Sequence, residues 1–174
     1  MRRSPPLALR VRAAAAYNAR TLNKSDDLMS WFPHVTVATV VEDAGRFLLV
    51  EEYSEGKLVF NQPAGHLEPA ESLIDAAHRE TLEETGWTVQ LQGFVGVGLY
   101  TTPNGATTYY RTTFYGAPLQ HDAGRKLDDG IERAVWLSID EIRAEQARLR
   151  SPLVLKVIEQ YLNGHRYPLS LIFS

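Results

Sequence analysis

Three glutamates, Glu80, Glu83 and Glu84, lie near the end of a segment whose pattern predicts an α-helix. Acidic side chains are disfavoured at a helix C-terminus, because the helix macrodipole is negative there. At about 100° per residue, all three share one face with Leu73 and Ala77, and this apolar face is expected to point inward. A solvated charged face would not need that placement. Inward-facing carboxylates indicate a bound cation instead.

Clustered carboxylates favour hard, oxygen-seeking cations such as Mg²⁺ or Mn²⁺. Mg²⁺ usually keeps several waters, shares its remaining positions with substrate phosphates, and can polarise a phosphoryl oxygen. Gly65 precedes the helix in a Pro-Ala-Gly loop, where a glycine backbone can approach a ligand closely. The residues alone therefore predict metal-dependent attack on a phosphate ester or anhydride.

The elements that must position these residues alternate between strand and helix. Period-2 patterns predict strands at 34–41, 46–52, 58–60, 88–101, 107–116 and 134–137, the fourth interrupted by glycines. Helices are predicted at 72–85, from the capping box of Ser138 and Glu141, and from Ser151 to Asn163. This order predicts an α/β sandwich, a mixed β-sheet with flanking helices.

The composition excludes several classes of protein. The 174 residues contain no cysteine, so disulfide scaffolds, thiol catalysis and zinc–thiolate sites are excluded. Residues 29–174 carry a net charge of −7, which argues against a nucleic-acid partner, and the apolar runs are too short to span a bilayer. A small-molecule partner and a soluble, cytoplasmic, monomeric protein are expected.

The first 30 residues are predicted to be a basic, disordered extension. Residues 1–28 hold six of the 18 Lys and Arg and two of the 21 Asp and Glu, a net of +4. They loosely resemble a transit peptide or a twin-arginine signal, although Arg10 and Arg12 interrupt the apolar stretch. An upstream start codon, with the functional start at Met29, is the alternative. The catalytic domain is expected to cover 31–174.

Residues 65–87 match the pattern of the Nudix box, G-x5-E-x7-R-E-U-x-E-E-x-G-U, where U is aliphatic. The matching positions are Gly65, Glu71, Arg79, Glu80, Glu83, Glu84 and Gly86. Thr81 departs from the pattern, but its methyl group can still pack as an aliphatic residue would. The sequence therefore resembles the Nudix hydrolases. Stretches at 32–38, 61–68, 150–154 and 166–169 are similar to the NudJ-like phosphatases of that family.

The resemblance implies a role for each box residue. Glu80 and Glu84 would bind Mg²⁺ directly, Glu83 would complete the shell through water, and the carbonyl of Gly65 would contribute. The pair Glu71 and Arg79 would hold the loop against the helix.

The general base stays open between several acids. Within the box, Glu80 or Glu83 would serve. Some Nudix enzymes use an acid outside the box, and the candidates here are Asp128, Asp129 and Glu132.

The resemblance also implies the substrates. NudJ-like phosphatases act with Mg²⁺, and Mn²⁺ is an alternative. They hydrolyse nucleoside tri- and diphosphates and thiamine pyrophosphate or its hydroxymethylpyrimidine pyrophosphate precursor. Other Nudix substrates, namely ADP-ribose, dinucleoside polyphosphates and oxidised nucleotides, remain alternatives, as does an inactive nucleotide-sensing module.

Four further residues are candidates for substrate binding: Arg111, His66, Arg166 and Tyr167. Arg111 would face phosphates, although an exposed strand arginine explains it as well, and a packed C-terminal segment would explain Arg166 and Tyr167. Aromatic residues at 109, 110, 114 and 115 could stack on a substrate ring, but alternating aromatics in a strand more often belong to the core.

Overall fold

The computed structural model describes residues 31–173, so the predicted extension 1–30 lies outside the described residues. The strands are β1 (His34–Asp43), β2 (Arg46–Ser54), β3 (Lys57–Asn61), β4 (Ala64–His66), β5 (Trp87–Thr101), β6 (Thr108–His121) and β7 (Ile131–Ser138). The α-helices are α1 (Leu73–Thr85), α2 (Ile139–Ala144) and α3 (Pro152–Leu162), and short 3₁₀ turns cover Gln146–Arg148 and Leu169–Leu171.

Strand β1 joins two parts of a mixed sheet. It runs parallel to β6 from His34 to Val41 and antiparallel to β4, while only its last residues pair with β2. The order is β3-β2-β1-β6-β5, with β4 added to β1 and β7 to β2. Parallel and antiparallel pairs in one sheet with helices against it confirm the predicted α/β sandwich.

Two apolar clusters lie on opposite faces of β1 because successive strand side chains alternate. Val40 packs in the cluster that contains Val154 and Ile158 of α3. Val37 and Val41 pack in the cluster that contains Ala76 and Ala77 of α1. The inward face predicted for α1 is therefore the one that packs on the sheet.

Local capping residues fix both ends of α1. The hydroxyl of Ser72 accepts a hydrogen bond from the backbone N–H of Asp75 at 3.1 Å. Gly86 ends the helix in the left-handed region with φ 72°, and its N–H donates to the carbonyl of Leu82. The helix therefore stops directly after Glu84, which keeps the carboxylates in its last two turns.

The structure differs from the sequence prediction in its strands. Strand β4 was not predicted, because it overlaps the Pro-Ala-Gly stretch, whose composition is typical of a loop. Strand β5 is continuous across its glycines, and two of its three register irregularities against β6 lie at Gly93 and Gly96. Strand β6 extends to His121 because β5 offers pairing partners back to Trp87. Within residues 31–173, no helix combines the length and apolarity that a bilayer crossing requires.

Candidate active site

The last turns of α1 face a cleft of about 480 Å³ between the sheet, β4 and the start of α3. Eight residues predicted from the sequence line it: Gly65, His66, Arg79, Glu80, Glu83, Glu84, Arg111 and Asp128. Residues that are up to 63 positions apart in sequence thus meet at one concave surface, which is the usual form of a small-molecule site.

Arg79 organises the mouth of this cleft. Its Nε and Nη2 donate to the two carboxylate oxygens of Glu71 at 2.7 and 2.9 Å, a bidentate pair. Its Nη1 donates to Glu80 at 2.7 Å and Glu83 at 3.1 Å, and Nη2 also donates to the carbonyl of His66. A planar guanidinium suits this number of fixed acceptors, so one side chain links the loop to the helix.

Glu80 lies against the backbone of Gly65. Its side chain is buried, with 7% of the residue exposed, and burial raises its pKa even though the bond from Arg79 acts in the opposite direction. A Cβ at position 65 would overlap the Glu80 carboxylate well inside van der Waals contact. Only glycine therefore lets the loop backbone and this carboxylate lie side by side.

Glu84 is one turn further along the same face. It is 8% exposed, and its Oε2 accepts a hydrogen bond from the N–H of Ala64 at 2.8 Å. Burial raises the pKa of Glu84 to about 9, and the nearby acids Glu52, Glu80 and Asp128 act in the same direction. Without a cation this carboxyl is therefore neutral at pH 7, and a cation would favour its charged form.

The donor set fits a divalent cation that keeps some of its waters. Within residues 31–173, no three acidic or histidine side chains are grouped so that they could hold a metal ion by themselves. Two carboxylates are nevertheless buried there, that of Glu80 beside the Gly65 backbone and that of Glu84 at the N–H of Ala64, and Oε1 of Glu52 is buried without a hydrogen-bond partner among the described residues. Mg²⁺ commonly uses one or two carboxylates, waters and substrate phosphates, so a complete protein cage is not required.

Arg111 places a positive charge inside the same cleft. It is 8% exposed, and its guanidinium donates to Oδ1 of Asn61 at 3.3 Å and to Oε1 of Gln62 at 3.1 Å. Its Nε is buried and has no partner in the described part of the chain. Burial lowers the pKa of Arg111 to about 10, so it stays protonated at neutral pH. The cleft therefore pairs an acidic end with a buried cation suited to phosphate oxygens.

Besides Glu71, the partner of Arg79, four of the predicted site residues do not line the cleft. Asp129 pairs with Lys126 at 3.0 Å on the surface, and Glu132 is exposed. The guanidinium of Arg166 lies 4.1 Å from the ring centroid of Tyr161, and the backbone of Tyr167 pairs with Phe94. For the last two, the geometry corresponds to the packed C-terminal segment that was the alternative interpretation.

The cleft also contains residues that sequence reasoning missed. The lining includes Glu52, Asn61, Tyr100, Arg150 and Ser151. One signal was available for Glu52, since the acidic pair Glu51 and Glu52 follows the apolar run 47–50 within a predicted strand. The others reach the cleft through strand pairing and through the start of α3, which no local pattern indicates.

Thr81, the departure from the box pattern, has a polar explanation. It is fully buried, and its hydroxyl donates to the carbonyl of Ala77 at 2.7 Å and lies 3.0 Å from the hydroxyl of Thr39. Both contacts satisfy the buried oxygen, so the hydroxyl is accommodated between α1 and β1.

The sheet, the box helix and the carboxylate cleft together define a Nudix-type hydrolase. A family model described as NUDIX domain matches residues 32–157, and the chain belongs to that family. It is a hydrolase acting on phosphorus anhydrides, and such hydrolases generally use divalent metals.

Similar proteins narrow the class to the NudJ-like members. Phosphatase NudJ of Escherichia coli strain K12 is 44% identical over 140 residues, which are 80% of this chain and 90% of that protein, and the Shigella flexneri protein of the same name matches equally. A solved NUDIX hydrolase from Nitrosomonas europaea is 51% identical with a TM-score of 0.80, covering 82% of this chain and 97% of its own. A UDP-X diphosphatase structure, at 17% identity and TM-score 0.64, covers 88% of this chain and 73% of its own and shares the fold.

Replacing Arg79 by lysine is expected to lower kcat/KM roughly 10- to 100-fold, the usual effect of losing a partner that orients metal ligands. Lysine keeps the charge but cannot bond Glu71 bidentately while also holding Glu80. Steady-state kinetics across a series of Mg²⁺ concentrations measures the effect. Arg143→Lys, which changes an exposed arginine paired with Glu159, is the matched control. Equal activity of both variants would contradict the role of the Arg79 network.

Proposed function

We propose that this protein is a Mg²⁺-dependent phosphatase for nucleoside tri- and diphosphates and for thiamine pyrophosphate or hydroxymethylpyrimidine pyrophosphate. The main supporting observation is that two buried carboxylates, Glu80 and Glu84, and the buried guanidinium of Arg111 line one cleft. The likeness to proteins named Phosphatase NudJ supports phosphatase activity. The substrates proposed are those implied by the NudJ-like sequence pattern.

Glu80, Glu84 and the carbonyl of Gly65 are the proposed ligands of Mg²⁺, with Glu83 completing the shell through water. Glu80 and Glu84 are four residues apart and therefore on one helix face. Mn²⁺, which also prefers oxygen ligands, is proposed as a substitute. Arg79 would hold Glu80 and Glu83 in orientation through the contacts described above.

Bound Mg²⁺ supplies polarisation of a phosphoryl oxygen and a lower pKa for a bound water. Arg111 would bind the phosphoryl oxygens and offset their charge, and His66 would contact the substrate at the other side of the loop. As the water oxygen bonds to phosphorus, the bond to the leaving oxygen breaks and a carboxylate takes the water's proton. Glu80 or Glu83 is proposed as that base, and Asp128, which also lines the cleft, is the second candidate.

The decisive experiment counts orthophosphate and pyrophosphate released from a panel of substrates at one Mg²⁺ concentration. The panel contains hydroxymethylpyrimidine pyrophosphate, thiamine pyrophosphate, nucleoside di- and triphosphates, ADP-ribose, a dinucleoside polyphosphate and an oxidised nucleotide. We expect orthophosphate from the first four and loss of all turnover with excess chelator. Preferred cleavage of the last three would replace the phosphatase proposal with another pyrophosphohydrolase activity. Tight binding without turnover would replace it with a sensing module.

We also propose that the protein is a cytoplasmic monomer. It would act on a small phosphorylated molecule and have no nucleic-acid or membrane partner. The acidic residues of the cleft would repel a nucleic-acid backbone. Sedimentation of the purified protein and gel-shift titration with DNA and RNA test the two physical parts of this statement. A stable dimer or a salt-resistant nucleic-acid complex would contradict it.

A further inference from the structure

Two tyrosines form one wall of the cleft. Tyr100 of β5 is paired directly with Tyr109 of β6, and both line the cleft while remaining half-buried. The neighbouring Tyr110 is on the opposite face of β6, 39% exposed, and does not line the cleft. The aromatic pair is therefore a feature of the cleft side of the sheet.

This wall continues toward the phosphate end of the cleft. Tyr109 and Arg111 are two residues apart on β6, so their side chains share one face. On β5 the residue paired with Arg111 is Gly98, so no β5 side chain lies next to Arg111 on this face of the sheet. Leu153, at the start of α3, packs near Gly98 and also lines the cleft. A molecule whose phosphate meets Arg111 would thus have its other end beside the tyrosines.

The wall presents ring surface to an open space. The ring centroids of His34 and His66 lie 5.6 and 6.2 Å from the ring centroid of Tyr109, so both imidazoles pack against this tyrosine. Tyr100 has no aromatic ring at such a distance among the described residues, so its own ring is left uncovered by other aromatic side chains. Exposed ring faces bind planar π-systems more strongly than buried area alone explains, because offset stacking adds a favourable quadrupole term.

We propose that Tyr100 and Tyr109 bind a planar aromatic ring at the non-reacting end of the substrate, making them specificity-determining residues. The substrate class is then a pyrophosphate carried by an aromatic or heteroaromatic group, in preference to alkyl or inorganic pyrophosphates. This inference rests on the proposed function for its phosphate end, but the ring preference is a property of the tyrosine wall.

The test compares ring-bearing and ringless substrates in three variants. Tyr100→Leu and Tyr109→Leu remove ring surface at each position, and Tyr110→Leu is the matched control on the opposite face. Thiamine pyrophosphate and a nucleoside diphosphate carry rings, whereas inorganic tripolyphosphate and an alkyl pyrophosphate do not. We expect kcat/KM for the ring-bearing substrates to fall about tenfold in the first two variants, mainly through KM. Ringless substrates and Tyr110→Leu should be unchanged, and Tyr100→Phe should keep wild-type selectivity.

A binding measurement separates this inference from the proposed function. Calorimetric titration with thiamine pyrophosphate and with inorganic pyrophosphate, in Ca²⁺ buffer, does not require turnover. Tyr100→Leu should weaken the first about tenfold and leave the second unchanged. Equal weakening of both probes, or of neither, would overturn the ring site even in an active enzyme. Selective weakening in a protein that releases no phosphate would support the ring site and reject the phosphatase proposal.

Discussion

Replacing Glu84 by glutamine is expected to lower kcat about 10³-fold while leaving the metal-free fold intact. Glu84 is nearly enclosed, and burial raises its pKa to about 9, so the metal-free protein already holds a neutral side chain there. A neutral amide of the same shape changes little in that state. If Glu84 is the metal ligand that we propose, the variant lacks an ionised ligand when the cation is bound, and losing such charge stabilisation costs several kcal/mol in the transition state.

Two measurements separate the catalytic effect of Glu84→Gln from a folding defect. Melting temperatures without metal should agree within about 2 °C, since a neutral amide in place of a neutral carboxyl of the same shape changes the stability little, and about 1 kcal/mol shifts a domain of this size by only about 2–4 °C. Addition of Mg²⁺ should raise the melting temperature of the wild type and not that of the variant. Glu159→Gln, an exposed change on α3, should behave as wild type. Substantial turnover in Glu84→Gln would refute the ligand assignment.

The helix that carries the site could be predicted in detail because its signals are local. Ser72, Gly86 and the spacing of the glutamates determine the ends and the inward face of α1 without reference to any other element. The order of strands and helices likewise predicted the sandwich. These features depend on neighbours three or four residues away, which a single sequence displays directly.

The cleft's other walls could not be predicted because they depend on long-range pairing. Tyr100 reaches the site only through its register with Tyr109, and Glu52 through the position of β2 between β3 and β1 in the sheet. A one-residue change of register would turn either side chain to the other face. Arg166 illustrates the same limit. The sequence around it is similar to the NudJ-like phosphatases, but that similarity did not indicate that its guanidinium lies over the ring of Tyr161.

Replacing Gly65 by alanine is expected to lower kcat/KM about 100-fold, because the new methyl group would occupy the space of the Glu80 carboxylate. The backbone at Gly65 is β-strand and needs no left-handed conformation, so the effect comes from contact rather than backbone strain. Gly124→Ala is the matched control, since its Cβ would meet only ordinary contact at 3.6 Å. Steady-state kinetics and Mg²⁺ titration measure both variants.

A double substitution identifies Glu80 as the group that the Gly65→Ala methyl displaces. In a Glu80→Ala background the carboxylate is gone, so adding Gly65→Ala should cost no further activity and no further stability. Two substitutions that act through one contact are non-additive, whereas independent defects would multiply their effects on kcat/KM. A full additional 100-fold loss in the double variant would mean that the methyl group disturbs the loop itself. Non-additivity would instead link the glycine of the loop to the carboxylate of the helix as one functional unit.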